Sequence, residues 1–427
     1  MVTNIKFEQT EKFISDLKGC IECGNCTFWC PIYQEQPEES SVARGKIKMI
    51  RALLNGEAHY DEEFAKLLST CTLCMSCTEH CPVKTQVQSI IAATRTDKVK
   101  AKGITFPSKL VYRWLLPRRR LFGNVVRVAS WFQGLFFPRT EGTIRHLPLF
   151  LSALGQGRHF PSIASKFLRQ VVPAVNKPPK GVKTKMKIGF FIGCATDFIF
   201  PDVGKRIIDF LTNHGVEVAV PKGQGCCAAP LFLGVGDLET ARKMSDRNVK
   251  SFENVDYIVS NCATCSSALK DYTKHLADTE DRKEAYREFG DKVKDISEFL
   301  VDVLKLKASD YQPVPEIRGK KITWHDPCHL VRYLGVKDQP RQIMKSLLDA
   351  EYVEMARADS CCGMAGSFSI SYYDLSKKIA DRKAEAIKAT GADIVVTACP
   401  GCMIQLIDTF KRHQMPQKVV HLMDLIK

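Results

Sequence analysis

The stretch Cys20-Ile-Glu-Cys23-Gly-Asn-Cys26-Thr-Phe-Trp-Cys30-Pro31 constrains this chain more than any other. Its spacing is C-x2-C-x2-C-x3-C-P, and the pattern returns as Cys71, Cys74, Cys77 and Cys81-Pro82. Three thiolates two residues apart can wrap one face of an iron–sulfur cube. The fourth, set off by three residues and followed by proline, points away and in two-run chains ligates the other cluster. The pattern therefore predicts one 4Fe–4S cube on Cys20, Cys23, Cys26 and Cys81. It predicts a second on Cys71, Cys74, Cys77 and Cys30. Structural zinc is the competing reading, but zinc takes two CxxC pairs well apart. Eight cysteines in two runs of four are too dense for it.

A chain of 427 residues implies roughly two to four domains. The first residues, MVTNIKFEQTEKF, are charged and lack the apolar core of a secretory signal. No window reaches the roughly 18–20 uncharged apolar residues of a membrane span. The expected location is the cytoplasm, with peripheral attachment to the inner membrane's cytoplasmic face as an option. Eighteen cysteines there signal metal or redox chemistry rather than a disulfide framework.

The net charge of +15 is unevenly placed. From Lys98 to Lys185 there are 18 Lys and Arg against one acid, Glu141, or +17, which leaves −2 for the rest. Such a segment suits an anionic membrane surface or a nucleic acid. A zinc-rich nucleic-acid binder would be colourless with steeply salt-dependent binding. The cysteine pattern argues against that class, and no nucleic-acid partner is expected.

In chain order, residues 1–97 read as an all-helical two-cluster domain of the ferredoxin type. Between the runs, Val42, Ile47, Ile50 and Leu54 recur at helical spacing, with Ser40 or Ser41 as cap and Asn55-Gly56 as stop. A second helix, DEEFAKLLST, opens with three acids. Residues 98–185 hold 11 aromatics, including Trp114 and Trp131, beside clusters such as Arg118-Arg119-Arg120. Two readings compete for them: a connector packed on its neighbours, or a docking segment for a membrane surface, a quinone or a partner. Asn176–Gly181 reads as a linker.

From Lys185 the chain repeats itself. KIGFFIG, VEVAVP and YIVSN precede Cys194, Cys226-Cys227 and Cys262-Ala-Thr-Cys265. KKITWHDP, YVEMA and DIVVTA precede Cys328, Cys361-Cys362 and Cys399-Pro-Gly-Cys402. Helical stretches lie between. Alternating strands and helices imply a parallel sheet with helices on its faces. Cysteines just after strands fall on the carboxyl edge, where such sheets place their sites. The expected domains are 186–310 and 317–427, with the two cysteine edges facing each other or a shared cleft.

Eight cysteines in the runs and five in each repeat account for all 18. Five thiols exceed the four of an ordinary cube. They fit a cube plus a spare thiol, a zinc plus a redox-active vicinal pair, or an unusual five-ligand cluster. The pattern Cys…CysCys…CysxxCys resembles the cysteine-rich CCG domain. Its groups are separated by 31 and 34 residues in the first copy and 32 and 36 in the second. Only the second copy has the glycine, Gly363, where the first has Ala228. The whole layout resembles the iron–sulfur subunits of glycolate oxidase, D-lactate dehydrogenase and anaerobic glycerol-3-phosphate dehydrogenase. It also resembles the cluster-bearing subunit of membrane-bound heterodisulfide reductase. Residues 98–185 are not covered by the likeness.

The resemblance implies a noncubane 4Fe–4S cluster on Cys194, Cys226, Cys227, Cys262 and Cys265. It implies another on Cys328, Cys361, Cys362, Cys399 and Cys402, so one or two such clusters accompany the two cubes. HDPCHL and the stretch from CCGMAGSF to GADIVVTACPGC look more like the glycolate and lactate oxidase subunits. The complete set of ten cysteines keeps disulfide reduction open as the alternative.

His325 and His329 flank Cys328, where a proton donor would help reduce a disulfide or quinone. The plainer reading is a capped turn with hydrogen-bonded imidazoles. Gly223-Gln-Gly225-Cys-Cys only formally resembles a dinucleotide loop. Its glycines, like Gly363 and Gly366, are read as clearing space for a cluster. With no P-loop and no flavin motif, electrons must come from another protein, expected to be an FAD-dependent dehydrogenase subunit.

Overall fold

The computed structural model describes residues 5–136, 139–140, 143–144 and 158–427. The rest of the 98–185 segment, and the first four residues, lie outside the described residues.

The N-terminal region is helical. Helix α1 (Ala43–Leu54) buries Ile47, Ile50 and Leu53. No side chain caps it: Val42 occupies the cap position, because Glu39–Ser41 form a short 3-10 turn instead. Helix α2 (Glu62–Ser69) starts as its acids imply, with the Asp61 carboxylate accepting from the Phe64 N–H at 2.8 Å. Helix α3 (Val87–Lys102) is buried over most of its circumference, including Asp97, which accepts from the Gln9 and Thr10 amides and the Thr10 hydroxyl. An element apolar or satisfied all round belongs inside a molecule. Accordingly α3 is sandwiched between the N-terminal turns and the next domain, where Arg95 donates to the Leu233 carbonyl at 2.9 Å.

The basic segment is not merely a linker. Phe106–Lys109 and a wide turn at Leu110–Leu115 lead to helix α4 (Arg119–Phe136). Strand β1 (Val175–Asn176) pairs antiparallel with Val216–Ala219. The linker therefore begins after Asn176, and the first repeat's sheet recruits an edge strand from before residue 186. Two residues of extended chain carry too little pattern to be read beforehand.

The first repeat contains β2 (Met186–Phe191), helix α5 (Pro201–Asn213), β3 (Val216–Ala219), helix α6 (Leu238–Ser251) and β4 (Tyr257–Ser260). It ends with α7 (Ala263–Lys270), α8 (Glu280–Lys292) and β5 (Val293–Asp295). Sheet order is β1-β3-β2-β4-β5, parallel except at β1. The second repeat contains β6 (Lys321–Trp324), α9 (Asp338–Ser346), β7 (Glu351–Val353), α10 (Tyr373–Lys388), β8 (Ile394–Thr397), α11 (Pro400–Arg412) and β9 (Lys418–His421). Its order, β7-β6-β8-β9, is parallel throughout.

Both sheets thus place strands as second, first, third, fourth. The fourth strand of each is an addition to the repeat read from the sequence. The central strands are buried on both faces: Ile188, Phe190 and Phe191 in one, Ile322, Thr323 and Trp324 in the other. Helices cover those faces, as a parallel sheet requires.

Candidate metal centres

None of the eighteen cysteines is in a disulfide. In both N-terminal runs, left-handed residues flank the middle cysteine: Glu22 (φ 56°) and Gly24 (φ 80°), then Leu73 (φ 54°) and Met75 (φ 61°). Each loop then enters a short helix, Asn25–Trp29 or Ser76–Glu79. The same sequence spacing thus produces the same coiled loop twice, a backbone form suited to an anionic centre. Cys20, Cys23, Cys26 and Cys81 line one cavity, with Cys77 and Arg44 also at its wall. Cys30 lies among Cys71 and Cys74, and Cys77 borders both of these and Cys30. The fourth cysteine of each run therefore sits with the other run's first three.

Burial pushes the Cys30 thiol up to about 12 and Cys74 up to about 11. Metal ligation requires thiolates, so loading iron would release these protons. Cations stand ready to face the resulting charge. The Lys46 ammonium is buried beside Cys71 and Cys30, held by the Ser40 and Ser41 carbonyls at 3.1 and 3.0 Å. The half-buried Arg95 donates to the Cys71 carbonyl at 3.1 Å. An all-thiol donor set with compensating cations fits iron–sulfur clusters.

The cysteines of the two repeats occupy matching places. Cys194 begins a helical turn after β2, Cys226 and Cys227 follow β3, and Cys262 and Cys265 open α7 after β4. Cys328 follows β6, Cys361 and Cys362 follow β7, and Cys399 and Cys402 open α11 after β8. The two edges meet. The Ala263 N–H donates to the Ala398 carbonyl at 3.2 Å, and Thr264 Oγ1 is 3.8 Å from Cys399 Sγ.

Along this junction the thiols stand close enough for each to shift its neighbour's proton affinity. The succession is Cys226, Cys227, Cys265, Cys262, then across the junction Cys399, Cys402, Cys362, Cys361 and Cys328. Cys362 and Cys402 are 3.4 Å apart. Cys227, Cys361 and Cys399 are each held well below the ordinary thiol range by hydrogen bonds from the thiols on either side, while those neighbours are pushed up. Cys74 of the N-terminal region neighbours Cys361 and Cys328, and Arg332 donates to the Cys74 carbonyl at 3.3 Å and to Asp359 Oδ2 at 2.6 Å.

The two histidines have different surroundings. His329 Nδ1 lies 2.7 Å from Ser267 Oγ, and its ring stacks on Tyr333. His325 is 1% exposed and neither ring nitrogen reaches a hydrogen-bonding partner, although the Ala358 backbone is close. Burial pushes it down to about 3, so the ring is neutral near pH 7. One nitrogen shares a site with Cys362 and Cys402, all three ligand atoms lying within 4.8 Å of one another. Three residues before Cys194, the first repeat has Phe191 instead.

The buried cations were not legible beforehand. Lys383 sits in the charged run SKKIADRKAEAIK, yet it is buried, donating to the Arg357 and Ala358 carbonyls near Cys362. Nothing in that run marks one lysine from another. The glycines beside the CysCys pairs also have another role than making room for a cluster. A Cβ on Gly363 would meet the Ser376 carbonyl at 2.6 Å, and one on Gly223 would meet Ser251 Oγ at 2.5 Å. These are contacts with helices α10 and α6. Gly366 has open space around it but a left-handed φ of 60°.

Comparisons with known proteins agree with this layout. The model of the 4Fe-4S dicluster domain matches residues 16–85, and that of the cysteine-rich CCG domain matches 188–270 and 322–407. The probable glycolate oxidase iron-sulfur subunit of Bacillus subtilis is 30% identical, covering 96% of this chain and 93% of its own. A fumarate reductase (CoM/CoB) subunit of Methanothermobacter marburgensis is 28% identical over 98% of this chain and 73% of its own. Lactate utilization protein A of Oceanobacillus iheyensis is 32% identical over 56% of this chain and 96% of its own.

Proposed function

We propose that this chain, which belongs to the family of iron–sulfur subunits with a dicluster domain and two cysteine-rich domains, is the electron-transfer subunit of an oxidoreductase complex. Its donor is an FAD-dependent dehydrogenase of a 2-hydroxy acid such as glycolate or lactate. Its acceptor is a quinone or another carrier, and the chain works in the cytoplasm or at its membrane face. Bound clusters supply one-electron carriers: cubes on Cys20, Cys23, Cys26, Cys81 and on Cys71, Cys74, Cys77, Cys30, and noncubane clusters in one or both repeats.

The observation that carries this reading is the order of the thiol groups. They run from exposed Cys23, through Cys77 and Cys74, to the second repeat, and across Cys399 and Cys262 to the first repeat, whose Cys194 is again exposed. Interior groups with an opening at each end suit a relay between two partners. The protein's own residues keep water out, hold the thiols and oppose their charge with Lys46, Arg95 and Arg332.

Disulfide reduction at the repeats is the second reading. Its support is the complete set of ten cysteines, together with the CoM/CoB-type relative. Iron and sulfide content with EPR on anaerobically purified protein tests the shared premise, with about sixteen iron atoms per chain expected for four 4Fe–4S clusters. About eight would remove the noncubane clusters. Reduced-viologen turnover of a disulfide would displace the relay reading in favour of the second. Its absence, with reduction of the clusters by the dehydrogenase and its hydroxy acid, supports the relay.

A further inference from the structure

The segment from Phe106 to Trp131 is fastened to the first repeat along one side. Arg113 pairs with Asp237 at 2.6 Å, Arg247 donates to the Pro117 carbonyl at 2.8 Å, and Arg119 pairs with Asp197 at 2.7 Å. Phe122 packs edge-on against Phe198, and Arg127 lies over the Phe167 ring. The inner face of α4 is thus taken.

The outer face is apolar and bare. Phe106 is 79% exposed, Trp114 60% and Trp131 70%. Leu121, Val125 and Val128, four and three residues apart, form one exposed stripe of α4. Exposed Arg118 and Arg120 flank that stripe, and Arg118 lies 4.7 Å over the Trp114 ring. Residues 98–136 contain nine Lys and Arg and no Asp or Glu. No described helix is long and apolar enough to cross a membrane.

We propose that this face lies on an anionic lipid bilayer, with the apolar stripe and both tryptophans in the headgroup region and the flanking arginines on acidic headgroups. Tryptophan with an apolar stripe and arginine borders is the composition of a helix lying in the interface plane. The absence of acids across 39 residues gives charge complementarity to lipid phosphate rather than to a mixed protein surface. The contact also orients the molecule. Arg119 lies near Cys194, and Asp197, its ion-pair partner, is three residues further on, so the exposed end of the thiol succession sits beside the docked helix. That last point rests on the relay reading; the lipid contact does not.

The test is flotation of the purified, iron-loaded full chain with vesicles of phosphatidylcholine alone or with one-third phosphatidylglycerol. Binding to the anionic vesicles, weakened by salt, is expected. Arg118→Gln with Arg120→Gln should weaken it roughly 25-fold, at about 1 kcal/mol per surface cation. Trp114→Ser with Trp131→Ser should abolish it, with iron content and circular dichroism unchanged. Brominated lipid should quench tryptophan fluorescence in the parent chain, and less so in this variant. No flotation with the anionic vesicles overturns the proposal. So does binding that both variants retain, or capture by a purified dehydrogenase that both variants lose while vesicles fail to bind. A chain that fails to float yet relays electrons would sink the lipid contact and leave the function standing.

Discussion

At the scale of single residues, equivalent positions in the two repeats carry different chemistry. Ala228 and Gly363 both follow a CysCys pair and both are left-handed, with φ of 63° and 89°. A side chain there is strained by its Cβ. Ala228→Gly relieves that strain but gives up a fully buried methyl and adds freedom when unfolded, so it is expected to stay within about 1 kcal/mol of neutral. Gly363→Ala should cost about 2 kcal/mol or more, since its Cβ also meets the Ser376 carbonyl. Thermal unfolding should show little shift for Ala228→Gly and a clear loss for Gly363→Ala. His325 against Phe191 is the second difference. His325→Phe copies the first repeat, and it should leave iron content unchanged while lowering the midpoint potential of a cluster bound by the second repeat's cysteines. The reason is that an N–H beside a cluster sulfur favours the reduced state. EPR-monitored redox titration checks it, and an unchanged potential would remove the imidazole from the centre's surroundings.

At the scale of elements, the unforeseen fourth strands matter because they end beneath the junction. Asp295, the last residue of β5, is fully buried and accepts from the Ser297 N–H and Oγ at 2.9 and 2.6 Å. His421, at the end of β9, has the matching place, its Nδ1 accepting from the Met423 N–H while its Nε2 faces the Asn261 carbonyl across the junction. Burial raises Asp295 to about 7, against the hydrogen bonds from Ser297. Its unfolded value is about 3.9. The folded state therefore holds a proton that the unfolded state has lost, and stability declines as pH rises from about 4 to about 7, then levels. Asp295→Asn keeps an acceptor for Ser297 and should flatten that slope. Urea midpoints of parent and variant at pH 5 and pH 8 give the comparison.

At the scale of the whole molecule, three cysteine-bearing units are packed so that their thiol groups adjoin. Spacing in the sequence was enough to expect each fourth cysteine beside the other run's three, because three residues and a proline decide locally which way it points. It was enough also for the parallel repeats and for thiols at the strand ends, since burial on both faces demands continuous apolar strands. Local pattern could not reveal which cysteine edge meets which, or that the second repeat and not the first adjoins Cys74. It could not mark Lys46 and Lys383 as buried cations, nor show that α4 keeps one apolar face bare. Those depend on contacts between residues far apart in the chain, such as Arg332 with Cys74 and Ala263 with Ala398. Packing of one domain against another sets such contacts, and no local periodicity records it.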